Sequence, residues 1–341
     1  MSPPPIQQDS TEARTSTSPS ASTSTRYAII APCRNEVKYM RRTLDSLVRQ
    51  SVRPSIVVIV DDGSTDSTPA ILAEYAAAHP WIRIVTRKDR GVRSVGPGVI
   101  EAFYAGLDTI DLNDFDFICK LDLDLVLPDR YFELLMARMA AEPRLGTCSG
   151  KAYYPAPSNT AEDFNGELIN EGIGDEVSVG ASKFYRVSCF RQIGGFVRQV
   201  MWDGIDCQRC RLLGWITASW DDPEIRFIHL RPMGSSHKGI WTGRKRHGYG
   251  QYFMGTGLAY ITASSIYRLF HPPVIVGALG IWYGFVESAI TRKPRYDDLA
   301  FRKFLRRYQW EALVLGKAKA AARSCRRQSH VWDPKRPVST I

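Results

Sequence analysis

The chain has 341 residues, 44% apolar and 23% charged, with a formal net charge of +10. That is apolar chain enough for one large or two ordinary domains, which excludes a disordered or fibrous protein, and no repeat period runs through it. The excess charge is local: residues 291–341 carry 14 Lys and Arg against 4 Asp and Glu, so the remainder balances, and such a segment points to an anionic surface, either nucleic acid or membrane.

Residues 1–25 hold seven Ser, five Thr and four Pro with no apolar run, and are expected to be a leader without a core to join. Order is expected from Arg26, where Tyr-Ala-Ile-Ile-Ala at 27–31 reads as a buried strand closed by Pro32. Residues 35–50 place Val37, Met40, Leu44, Leu47 and Val48 on one helical face, and the β-branched run at 55–60 is a strand ending in acid. A helix follows over 68–78, with Ser67 or Thr68 as its cap, Pro69 in the first turn and Asp66 in a structural role. A strand at 82–85, a helix at 99–107 and a strand at 115–121 continue the alternation. This order predicts an α/β fold, a mostly parallel twisted sheet with helices on both faces, whose ligands bind beyond the carboxyl ends of the strands.

Polar groups stand at those ends. They are Pro32, Arg34, Asn35 and Glu36 after the first strand, Asp61-Asp62-Gly63-Ser64-Thr65-Asp66 after the second, and Asp122-Leu123-Asp124 after the fourth. Each loop alone is ordinary turn and cap chemistry. Three at one edge exceed what capping needs. Strand alternation would send Asp122 and Asp124 to one face, within reach of one hard cation, Mg or Mn, which would offset the charge of a departing diphosphate. Seven dispersed Cys read as reduced core thiols. Cys207 and Cys210 lack the second pair a structural zinc site needs.

These motifs, in this order, resemble the family-2 glycosyltransferases of the GT-A fold, which transfer a sugar from a nucleotide diphosphate with inversion. The resemblance continues through Gly180-Ala181, Phe184-Tyr185-Arg186, Gly194-Gly195-Phe196, Trp202-Asp203 and His229, so that it covers residues 26–240. It implies that Asp62, with Arg34 and Glu36 nearby, meets the nucleotide base, and that Asp122 contacts the ribose or shares a metal held by Asp124, with His229 beside the metal or diphosphate. Pro32, Asn35 and Asp61 complete that donor loop. Asp203 would be the general base, with Gly180, Ala181 and Trp202 on the acceptor side; Trp202 stands where the family usually has Glu. Asp206, one helical turn on, competes for the base role. Arg90, with Lys88 and Arg93, either cradles phosphate or belongs to a solvated basic loop.

Two uncharged stretches, 251–267 and 274–286, flank Pro272-Pro273 and precede the basic segment. Each is shorter than the ~20 residues of a membrane span. They read either as buried helices or as a hairpin against a bilayer, with Trp282, Tyr283, Tyr308 and Trp310 as interfacial anchors. The expected organisation is a leader to 25, a transferase domain at 26–240, a helical membrane-associating extension at 241–325 and a tail at 326–341. The expected partners are a nucleotide-diphosphate sugar, a glycan or lipid-linked acceptor and an anionic membrane surface on its cytoplasmic face; nucleic acid is not expected, since the acidic loops would repel it. Two alternatives are a haloacid-dehalogenase-like phosphatase with Asp122 as nucleophile, and a nucleic-acid binder acting through the basic tail.

Overall fold

The computed structural model describes residues 25–91, 96–156, 166–231, 239–270 and 274–337. The leader at 1–24, Arg93, the Pro272-Pro273 turn and residues 338–341 lie outside the described residues.

The first half alternates as expected: β1 (Tyr27–Cys33), α1 (Met40–Val48), β2 (Ile56–Asp61), α2 (Thr68–Ala78), β3 (Ile82–Thr86), α3 (Pro97–Leu107) and β4 (Phe117–Leu121). Helix α1 starts five residues later than the periodicity suggests. Asn35 takes a left-handed φ of 55°, and the amides of Tyr39 and Met40 both donate to the Glu36 carbonyl in a turn ahead of the helix. Val37 therefore falls outside the helix and is exposed. There follow β5 (Leu125–Val126), α4 (Tyr131–Ala141), β6 (Leu145–Gly150), β7 (Ala152–Pro155), β8 (Leu168–Asn170), β9 (Ser182–Arg186), α5 (Val187–Gln192), α6 (Trp202–Leu212), β10 (Ile216–Trp220) and β11 (Phe227–His229).

Seven strands form the main sheet in the order β10-β6-β9-β4-β1-β2-β3. All neighbours run parallel except β9, which lies antiparallel between β4 and β6. Alternation divides its side chains between two cores. Ile29 and Ala31 join α1, α2 and α4 on one face, and Ile30, Val58 and Val60 join α3, α5 and α6 on the other. A smaller sheet, β5-β11-β7-β8, sits at the end of β4.

The chain then continues through α7 (Gly239–Met254), α8 (Leu258–Arg268), α9 (Val274–Ile290), α10 (Leu299–Leu315) and α11 (Lys317–Arg327). Phe301 and Leu305 of α10 share a core with Ile205 of α6 and with Phe253 and Met254 of α7, so the extension is welded to the transferase-like part. Beyond α11 the chain turns back onto the sheet domain: Trp332 packs edge-on against Trp215, with ring centres 5.7 Å apart, and Gln192 donates to the Asp333 carbonyl. The start of the expected tail is thus tied to the sheet domain through Trp332 and Asp333. Among the described residues no helix is long and apolar enough to cross a membrane.

Candidate active site

The ends of β1 and β2 form one charged edge. Both Asp62 oxygens are held by guanidinium groups, one by Arg87 at 2.7 Å and the other by Arg90, which also pairs with Glu101. Arg34 donates to the Asp62 carbonyl at 2.6 Å and pairs with Asp89. Asp61 accepts from the Ser64 amide at 2.9 Å, and Asn35 Oδ1 accepts from the Thr65 amide at 2.8 Å, so these two side chains shape the loop between β2 and α2. Pro32 does not close β1 as expected but stands opposite Val60 in the β1–β2 ladder, and the strand runs on to Cys33. Asp66 accepts from the Thr68 amide at 2.9 Å, which is a structural bond in the turn ahead of α2; Ser67 stands at the N-cap position as expected but makes no side-chain capping bond.

At the end of β4 the strand alternation does not reach the acidic pair, because the strand stops at Leu121. Asp122 and Asp124 lie in a bend between β4 and β5 and have separate partners. Asp122 pairs with Lys120 at 2.5 Å, while its amide donates to the Ala181 carbonyl. Asp124, 2% exposed, receives Arg231 at 2.6 Å and has His229 Nε2 at 3.5 Å. His229 arrives there because β11 pairs antiparallel with β5, setting His229 opposite Leu125. Its Nδ1 meets Glu171 at 2.9 Å, and Arg231 also reaches Glu36 at 2.7 Å. Burial opposes charge on His229, but the carboxylates of Asp124 and Glu171 outweigh it and push the imidazole up to about 10. Burial likewise opposes ionisation of Asp124, yet His229, Arg231 and Lys120 hold its carboxyl below the usual range.

Asp203 lies in the first turn of α6, behind Met201, whose φ of 63° is unusual for a non-glycine residue. Its carboxylate faces Gly180: a Cβ there would stand 2.9 Å from Asp203 Oδ2. The Gly180 carbonyl accepts from Lys120, so one ammonium bridges Asp122 and the segment under Asp203. Ala181 is buried beside it. Trp202 is buried under two ammonium groups, with Lys120 and Lys183 at 5.2 and 5.7 Å from its ring centre. Asp206 is corrected by the structure. It is 1% exposed, paired with Lys183 and accepting from Tyr185. Burial pushes its carboxyl up, and it is walled off from any acceptor. Cys207 and Cys210 of α6 are buried free thiols.

A hard divalent cation fits part of this edge. Asp124 Oδ1 is buried with no hydrogen-bond partner among the described residues, Asp122 is partly exposed, and Mg or Mn needs only one or two carboxylates where phosphate oxygens complete its shell. The full set of Asp122, Asp124 and His229 is not gathered: among the described residues no group of three or more His, Cys, Asp and Glu is arranged to hold a metal. Arg87, Lys120, Glu171 and Arg231 escaped the sequence reading. Lys120 carried a signal, being the one charge inside the apolar run Phe-Ile-Cys-Lys-Leu.

Residues 28–188 match the model of Glycosyl transferase family 2. This segment includes the strand end on which the phosphatase alternative rested. The chain is 36% identical over 91 residues to chondroitin synthase of Escherichia coli, a match covering 26% of this chain and 13% of that protein. It is 25% identical over 186 residues to the succinoglycan biosynthesis protein ExoA of Rhizobium meliloti, covering 51% of this chain and 54% of that one. In both cases it spans well under two thirds of the relative. Among solved structures, GalNAc-T7 with UDP, GalNAc and Mn2+ superposes with a TM-score of 0.54 at 12% identity, over 85% of this chain and 58% of that one. With motif loops gathered at the carboxyl edge of a sheet like that of the GT-A glycosyltransferases, residues 28–188, just under half of the chain, form a domain of glycosyl transferase family 2.

Proposed function

We propose that the chain transfers a sugar, with inversion, from a nucleoside-diphosphate sugar to a hydroxyl group of a glycan or lipid-linked acceptor in polysaccharide or cell-envelope assembly. The observation that carries this reading is the adjacency at one sheet edge of two unlike carboxylates: Asp122, tied by Lys120 to the Gly180 carbonyl, and Asp203, lying against Gly180 itself. The loops bearing Arg34, Asp62 and Arg90 would hold the nucleotide. Asp124, with Asp122 two residues before it in the same bend, would hold a divalent cation, which when bound offsets the charge on the leaving diphosphate; His229 pairs with Asp124 and Glu171 and is not needed as a ligand. Asp203 takes the proton of the acceptor hydroxyl as that oxygen attacks the anomeric carbon and the bond to diphosphate breaks. A single carboxylate on the acceptor side suffices for inversion. The test is transfer from a panel of nucleotide sugars, with the anomeric configuration of the product read by NMR. An inverted product supports the reading, and retention refutes it.

A further inference from the structure

The helical extension presents a face that the transferase site does not use. Helices α7 and α9 lie so close that Gly248 and Gly284 touch main-chain carbonyls across the pair, at Ile281 and Lys245. That contact buries Ala278, Ile281, Phe285 and Ser288 of α9. The opposite face of α9 is apolar and open, with Ile275 61% and Leu279 53% exposed and Trp282 and Tyr283 beside them, and Phe270 beyond α8 is 79% exposed. Exposed apolar surface of this extent marks an interaction site.

Cations border it that have no carboxylate partner among the described residues. Arg244, Arg268 and Lys317 converge on His247, where burial and these three charges depress the imidazole to about 4. Arg295 and Arg306 line a cavity of about 530 Å³ between α8, α9 and α10, which also exposes Leu258, Ile290 and Trp310. Arg295 stacks on Tyr252 and Arg306 donates to the Gly255 carbonyl; among the described residues none of these five cations has a carboxylate partner. A second copy of the chain would cover the apolar face but bring the same unneutralised cations together.

We propose that α8, α9 and α10 dock on a bilayer containing anionic phospholipid, with an acyl chain entering the cavity and headgroup phosphates meeting Arg295 and Arg306 there and Arg244, Arg268 and Lys317 beside α8. Helix α9, with 17 residues, is about 25 Å long against a hydrocarbon core of about 30 Å, so it lies in the interface rather than spanning. Apolar burial and attraction between basic side chains and anionic lipid act together in such docking.

The test is flotation of the full chain with vesicles of phosphatidylcholine alone or with phosphatidylglycerol added, beside the pairs Ile275→Glu/Leu279→Glu and Arg268→Glu/Lys317→Glu. None of these four side chains is buried, and unfolding temperatures verify that the variants fold. The wild type should bind the anionic vesicles at least about tenfold better than the neutral ones, and each pair should lose about tenfold or more. A nucleotide-dependent thermal shift should be unchanged in both pairs. Binding indifferent to phosphatidylglycerol and to both pairs overturns the proposal. So does absence of vesicle binding together with a dimer, by light scattering, that Ile275→Glu/Leu279→Glu dissolves. Loss of the nucleotide response with vesicle binding retained counts against the transferase reading and leaves this one standing.

Discussion

Replacing Asp124 by Asn keeps the shape of the side chain and removes its charge where the structure concentrates most on it. The carboxylate is 2% exposed, meets Arg231 at 2.6 Å and has His229 at 3.5 Å. Breaking a buried pair commonly costs 3–5 kcal/mol because a charge is left uncompensated. Here both cations keep a second anion, Arg231 on Glu36 and His229 on Glu171, so the loss should be nearer about 2 kcal/mol, roughly a few degrees in unfolding temperature. The functional effect is separate and larger. A nucleotide diphosphate with manganese, at about a hundred times its dissociation constant, should stabilise the wild type by about 2.7 kcal/mol. Asn cannot supply the charge such a complex needs, so the ligand-dependent part of the shift should vanish. Differential scanning fluorimetry with and without nucleotide and manganese separates the two effects in one experiment. A variant that keeps the full nucleotide and manganese response refutes the placement of the donor site.

Asp203→Asn should lower kcat by about two to four orders of magnitude, the usual worth of a general base, while leaving the nucleotide thermal shift intact; loss of both together would move Asp203 to the donor side. Asp206→Ala leaves Lys183 charged in a fully buried position and should destabilise by about 3–5 kcal/mol, seen in urea melts. Equal stability would mean that the pair is not formed. His247 gives a pH signature. Its folded pKa, about 4, lies below the ordinary 6.5, so between those values the unfolded chain binds the proton and the folded chain does not. Stability should therefore be intact above pH about 6.5 and fall toward pH 4, by at most about 3 kcal/mol. His247→Gln should flatten that slope in pH-dependent melts.

Much of this protein is local in origin. The alternation of strand and helix, the ends of β2 and β4 to within a residue, and the polar loops at those ends follow from side-chain period and turn chemistry, which act over a few residues. The helix starting at Thr68, with Pro69 in its first turn, is of this kind. Contacts between distant segments were decided elsewhere. Strand β9 slots antiparallel between β4 and β6, and β11 carries His229 to Asp124 through a second sheet. Arg231 closes on Glu36, 195 positions away. Asp203 and Asp206 show the division most clearly. They sit three residues apart on one helix, and neither spacing nor residue type separates them. Tertiary packing buries one beside Lys183 and Tyr185 and leaves the other partly open against Gly180. The role open to a carboxylate depends on burial and on the charges that the fold brings to it, and those partners come from strands far away in the chain.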